Sequence, residues 1–356
     1  LGDVYKRQDR SAATARSERA AHARELANAA LSVIGDDPEL ATLLALESVD
    51  VSRSDGSVLR EAHTALHEAV MANRVTAAFP GQWRARFTPD GNLLVGGRPA
   101  RVVDASTGQD VLVLPEPPDG KDVESVAVSA DGTLAVGTDS AARGSATGTS
   151  QLFLYDAAGA ELQELRSVRY GTAHGDTIGP LEFSPDGSLL ASLAPYGGGL
   201  ALWDTASGDL LATHVEGVFA TSPPITVDVA FSADGSTLAL ARDNTVRLLD
   251  LASDTWSSID VGHNMLTSAV VFLDDGRIAT AGWDGRIGVH DVTSGQLLSS
   301  IDAEMGQVFT MRANPGGTRL VTGGDTGRVR LWRVEGTTVS PVADLVGQRE
   351  AVTSVT

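Results

Sequence analysis

The chain of 356 residues contains no cysteine and only two lysines, Lys6 and Lys121. Without cysteine there are no disulfides and no thiolate metal sites, which fits a reducing cytoplasm. With two lysines, Schiff-base and lysine-nucleophile chemistry has almost no candidates. No apolar run approaches the roughly 18 residues of a membrane-spanning helix, so no membrane segment is expected. Positive charge is scarce as well. The net charge is −19, and residues 76–356 carry 18 Lys and Arg against 34 Asp and Glu. Such a surface repels phosphate backbones and anionic headgroups, so no nucleic acid partner is expected there. Phosphate-binding GxxxxGK[ST], a GxGxxG after a strand and HExxH are all missing. His63 and His67 stand at i, i+4 with no third ligand and are expected at the surface. His290, Asp291 and Ser294 cluster at a strand end and are read as structural. The expectation is no cofactor, no metal and no catalytic residue.

What the chain does have is repetition. Six near-copies of one turn occur at intervals of 41 to 55 residues: Thr88–Gly91, Ser129–Gly132, Ser184–Gly187, Ser232–Gly235, Leu273–Gly276 and Asn314–Gly317. A period of this size signals a repeat architecture. Each turn follows an alternating strand and precedes a second apolar strand, and Asp-Gly suits the tight connection because glycine takes positive φ. A third strand ends in a hydrophobic-Asp pair or its variant: Val103-Asp104, Tyr155-Asp156, Trp203-Asp204, Leu249-Asp250, His290-Asp291 and Trp332-Arg333. A small-residue turn then leads to a fourth strand. Four antiparallel strands per unit with short connections make a propeller blade.

These residues resemble the WD-repeat family over residues 73–356. Leu202-Trp203-Asp204 copies the name-giving dipeptide and Gly262-His263 the Gly-His element; His174-Gly175 and Gly347-Gln348 are weaker echoes. The resemblance implies hydrogen bonds linking a His, a Ser/Thr, an Asp and a Trp within a blade. The fifth unit offers His263, Thr280 and Asp284 but has His290 where Trp is expected. The sixth offers Thr322, Asp325 and Trp332, with Gln307 in a region lacking histidine. No unit carries the full set, so apolar packing more than polar tetrads is expected to hold the blades. The positions assigned to this framework are Asp90, Gly91, Asp186, Gly187, Trp203, Asp204, His263, Asp284, Asp291, Asp325 and Trp332. Arg74–Gly81 resembles a lone fourth strand and Ala351–Thr356 a lone first strand. The reading is a mainly β chain: six full blades plus parts of a seventh, preceded by a short α-helical segment. Residues 139–150 and 218–225 are irregular insertions.

Residues 9–72 read as a helical connector of about three helices. Alanine-rich Ala12–Leu31 forms the first. Asp37-Pro38-Glu39 starts the second, with Leu40, Leu43 and Leu44 on its apolar face. A third begins near Ser57, with Val58, Leu59, Ala62, Ala65, Leu66, Ala69 and Val70 on its apolar side. Residues 1–8 read as the translation of a transposon end and are expected to be a cloning or assembly scar. The chain starts without methionine, and a longer protein is expected on both sides. The run DDPELATLLALESV followed by a propeller resembles the C-terminal part of actinobacterial STAND-type ATPases or transcriptional regulators that end in WD repeats.

Together these features point to a non-catalytic, cytoplasmic protein-interaction scaffold or sensor within a larger signalling protein. The resemblance places partner contacts at the residue before the loop Asp: Arg242 and Trp283, with Tyr196 and Trp83 as further candidates. Two alternatives differ in their demands. A propeller hydrolase or lactonase needs carboxylates or histidines converging on the central channel; Asp243, Asp284 and Asp325 recur in register, but the resemblance implies that they serve loop geometry. An extracytoplasmic ligand-binding propeller needs a signal peptide upstream.

Overall fold

The computed structural model describes residues 2–35, 37–53, 59–72, 84–117, 122–138, 151–165, 178–194, 199–215, 226–274, 276–345 and 351–356. Tyr196, Trp83, His174-Gly175, Gly347-Gln348, Arg74–Gly81 and the insertions 139–150 and 218–225 fall outside or largely outside these. The chain divides into two compact units, residues 1–75 with 345–350 and residues 76–344 with 351–356.

The first unit holds three helices, α1 Gly2–Val33, α2 Pro38–Arg53 and α3 Arg60–Ala72. Asp37 caps α2: its Oδ1 accepts from the Leu40 N–H at 2.9 Å, and its carbonyl accepts from the Ala41 N–H. The core of this unit is built from Ala27, Ala30, Ala41, Ala45, Ala65 and Ala69. Small side chains let the helix backbones approach closely, so the buried face of α2 is its alanine stripe. This corrects one member of the leucine face expected for α2: Leu43 is 58% exposed, whereas Leu44 packs against the alanine core. Val70 of α3 is likewise exposed, and α3 begins at Arg60 rather than near Ser57. Both misreadings share one cause, since hydropathy ranks leucine and valine above alanine, whereas close helix packing ranks by size.

Among the described residues the second unit forms six four-stranded blades of a β-propeller. Each blade is a four-stranded sheet with strands in sequence order, paired antiparallel as in blade 4. Blades 1 to 6 span residues 85–113, 123–165, 181–215, 226–260, 267–302 and 308–345. First strands lie innermost and fourth strands are mostly exposed, as in the patterns BBBBBiBe for Thr267–Asp274 and eiieie for Leu297–Asp302. The core therefore lies between faces of neighbouring sheets, for instance Val271, Val289, Met311, Leu320 and Trp332 between blades 5 and 6.

Antiparallel order puts the turn after the first strand and the turn after the third on one rim, here the turn rim. The loops between second and third strands, and between blades, lie on the opposite loop rim. Inter-blade bonds recur on the loop rim. The Val123 N–H donates to the Gly97 carbonyl at 3.0 Å, and the Thr267 N–H to the Asp243 carbonyl at 2.5 Å. The Val352 N–H donates to the Gly324 carbonyl of blade 6 at 2.9 Å in the same manner. At its other end, Thr356 Oγ1 accepts from the Phe87 N–H of blade 1 at 3.4 Å. Residues 351–356 thus sit between blades 6 and 1 in the place of a first strand.

Candidate functional site

The turn rim is made by local carboxylate chemistry. In the first turn of blade 3, Asp186 Oδ1 accepts from Ser184 Oγ at 2.6 Å and from the Ser188 N–H at 3.1 Å. Asp234 repeats this with Ser232 and Ser236 in blade 4. At the third-strand ends, Asp204 Oδ1 accepts from the Ala206 and Ser207 N–H groups at 3.0 and 2.7 Å, and Asp291 from the N–H and Oγ of Ser294. Donors aimed at a carboxylate favour its charged form. Ser106 and Thr107 accordingly bring Asp104 down to about 2, and Asp90, Asp186, Asp204 and Asp291 are lowered by the same kind of bond. Gly91 and Gly187 take φ of +87° and +73°. Gly317 has no alternative at all, because a Cβ there would meet the Leu273 carbonyl. Gly276 is the exception to the expected pattern, since the strand Thr267–Asp274 runs into its turn and Asp274 pairs with Arg277.

Behind the loop rim lies a buried polar chain in blade 5. His263 Nδ1 donates to Asp284 Oδ1 at 2.9 Å, since a carboxylate only accepts. That leaves His263 Nε2 to accept from Thr280 Oγ1 at 3.0 Å, and Thr280 Oγ1 to accept from His290 Nε2 at 3.3 Å. His290 thus fills the tryptophan place and completes a polar set in this blade, beside the apolar clusters that pack the sheets against one another. Burial and neighbouring His263 push His290 down to about 4, so it is neutral at pH 7. Blade 6 solves the same position differently. Trp332 Nε1 donates to Thr322 Oγ1 at 2.9 Å, and Thr322 Oγ1 donates to Met305 Sδ at 3.3 Å. Met305, not Gln307, holds the histidine place, while Asp325 Oδ1 accepts from the Gln307 N–H. In blade 3 Trp203 Nε1 donates to Ser192 Oγ at 3.0 Å.

Asp284 and Asp325 are occupied by hydrogen bonds within their own loop region. Asp284 also accepts from the N–H groups of Asn264 and Arg286, and Asp243 adopts φ +49°. The charges that do converge come from first strands, which sequence reading missed. Asp228 of blade 4 and Arg312 of blade 6 meet at 3.0 Å although blade 5 lies between them. Side chains from non-adjacent blades touch only where inner strands converge, so this pair marks the axis. Asp228 Oδ2 also accepts from the Val270 N–H of blade 5. Burial pulls the Arg312 guanidinium down, but Asp228 and Glu182 hold it above its ordinary value. Burial, then Arg312, brings Arg86 to about 10, while burial raises Glu182 against the pull of Arg312 and Arg86. Arg84, beside Arg312, Asp228 and Glu124, belongs to the same group. Alternate residues on the first strands, with Arg84 just before the first of them, would have flagged it: Arg84 and Arg86, Glu124, Glu182, Asp228, Arg312. Acids and bases balance, and the best-defined contact is an ion pair tying blades 4 and 6.

On the loop rim itself, Trp283 is 37% exposed and stacks edge-on against Phe309 at 6.0 Å between ring centres. Its backbone N–H donates to the Leu266 carbonyl, one residue from Met265, which is 46% exposed. Trp283 of blade 5 and Phe309 of blade 6 thus meet on this rim, with the exposed Met265 in the loop that joins blades 4 and 5. Arg242 differs: 17% of its side chain is exposed, and it lies 4.0 Å from Asp243. Among the described residues no group of His, Asp and Glu is arranged to hold a metal ion, and no helix is long and apolar enough to cross a membrane.

Comparison with known proteins agrees with this geometry. Residues 295–333 match the family described as WD domain, G-beta repeat. The fold is similar to a chain in the crystal structure of the mitotic checkpoint complex, with a TM-score of 0.61, 19% identity, and coverage of 76% of this chain and 78% of that one. The fold is a WD-repeat β-propeller. An uncharacterized WD repeat-containing protein of Synechocystis is 29% identical over 41% of each chain. Human WD repeat-containing protein 90 is 30% identical over 54% of this chain and 11% of its own length. Rat apoptotic protease-activating factor 1 is 28% identical over 42% of this chain and 13% of its own. The chain spans 41%, 11% and 13% of the length of these three curated relatives.

Proposed function

We propose that this propeller is a non-catalytic protein-interaction module of a larger signalling or regulatory protein, with Trp283 as the anchor. The carrying observation is the pair of Trp283 and Phe309 on the loop rim, with the exposed Met265 in the loop that joins blades 4 and 5. A partly exposed tryptophan braced by a second ring is a typical interface anchor. Arg242 and, by the sequence reading, Tyr196 and Trp83 are secondary candidates. Two similar proteins carry names that describe assembly or activation, the mitotic checkpoint complex and apoptotic protease-activating factor 1. The negative surface favours protein over nucleic acid. The helical unit is proposed as the relay to an upstream domain of the STAND ATPase or regulator type, in the cytoplasm. The framework residues, from Asp90 to Trp332, serve architecture in this reading.

The test is affinity capture from lysate of the source organism with the wild-type chain and with Trp283→Ala. A protein retained by the wild type and lost from the equally folded variant supports the reading. An identical captured set overturns Trp283 as the anchor.

A further inference from the structure

Between blades 1 and 2, on the turn rim, lies a groove of about 240 Å³. Its apolar lining is Val102, Val111, Leu112 and Leu134, and its edge carries Asp90 and Asp131. Val111 is 58% exposed on the fourth strand of blade 1, so apolar surface continues outward from the groove. The groove is smaller than the roughly 300–1,000 Å³ of small-molecule pockets, a size suited to one side chain of a larger partner.

Charge supplies the second constraint. Asp90 is held by Thr88 and by Asn92, whose Nδ2 donates to Oδ2 at 2.9 Å. Asp131 Oδ1 accepts from Ser129 and from the Thr133 N–H. Both carboxyls are thereby kept below the usual carboxylate range, so they stay ionised. The surrounding rim has the same sign. Blades 1 to 5 each place an Asp at the end of the third strand, and blade 6 alone has an arginine, Arg333. A bare apolar groove would accept any hydrophobic group. An apolar groove inside a negative field selects one flanked by positive charge and rejects acidic neighbours.

We infer that the groove between blades 1 and 2 docks a basic protein segment, which inserts one apolar side chain over Val111 and Leu112 and sets Arg or Lys beside Asp90 and Asp131. This surface lies on the rim opposite Trp283, so a single chain can hold two partners, or two parts of one, at once.

The probe is a fluorescein-labelled heptapeptide with a central leucine and two arginines on each side, read by fluorescence anisotropy against the full chain. Two control peptides replace the leucine with alanine or the arginines with glutamates. Wild-type protein is expected to bind the leucine peptide at least tenfold more tightly than the alanine peptide, and the glutamate peptide not at all. Binding should weaken several-fold between 50 and 200 mM salt, about the range over which screening sets in. Val111→Lys changes an exposed residue and is expected to fold normally and lose at least tenfold in affinity. Val342→Lys, at a comparably exposed site on blade 6, is expected to change nothing. Equal binding of the leucine and alanine peptides, or no loss in Val111→Lys, would overturn the groove and leave only diffuse attraction to an acidic rim.

Discussion

Blades 5 and 6 have the same four strands and the same central threonine, yet wire it differently. In blade 5 Thr280 sits between His263 and His290. In blade 6 Thr322 sits between Met305 and Trp332. Each site needs a donor to the threonine oxygen, an acceptor for its proton and enough volume to close the gap between sheets. Two histidines meet these needs with polar atoms and little bulk. Methionine and tryptophan meet them with bulk and one indole N–H. The position is defined by what the space requires, and more than one pair of residue types satisfies it.

The largest effect should come from removing the bulk. Trp332 is fully buried, and Trp332→Ala is expected to cost about 3–5 kcal/mol by urea unfolding, as for other buried aromatics. A loss below about 1 kcal/mol would mean that the tryptophan is not what fills blade 6.

Next comes pH. The His290 pKa falls from an ordinary 6.5 to about 4 in the folded chain. Between these values the unfolded state binds the extra proton, so stability is full above 6.5 and declines as pH falls toward 4. At 1.36 kcal/mol per unit the loss is about 3 kcal/mol. The turn aspartates have lowered pKa values and add their own loss only below the ordinary carboxylate range. His290→Trp, which copies blade 6, should flatten the slope between pH 6.5 and 4.5. An unchanged slope would show that the proton is taken up elsewhere.

Thr322→Val keeps shape but strands the buried Trp332 N–H, for an expected cost of about 1–3 kcal/mol. Thr280→Val should cost more, because it strands two histidines. Equal costs would erase the distinction between the blades. The smallest effect belongs to Trp283→Ala at the exposed rim, within about 0.5 kcal/mol of wild type in unfolding. A large loss there would make Trp283 part of the framework instead of the working surface.

The six turns were legible in the sequence because their bonds close within a few residues: Asp186 reaches two residues back to Ser184 and two forward to Ser188. The Asp37 cap was legible for the same reason. Leu43 was misread because hydropathy ignores how closely alanines let helices pack. The roles of His290 and Met305 were hidden because neither matches the expected residue type, although Met305 lies 17 residues before Thr322, the spacing of His263 to Thr280.

The sequence alone determined the period, the blade grammar and the turns, because these rest on neighbours along the chain. The axial pair Asp228–Arg312 joins residues 84 apart, from blades that do not adjoin. The groove beside Asp90 and Asp131 draws on two blades, and the Trp283–Phe309 contact on two more. Those arrangements belong to the tertiary structure, because only closing the sheets around an axis brings such distant side chains within reach.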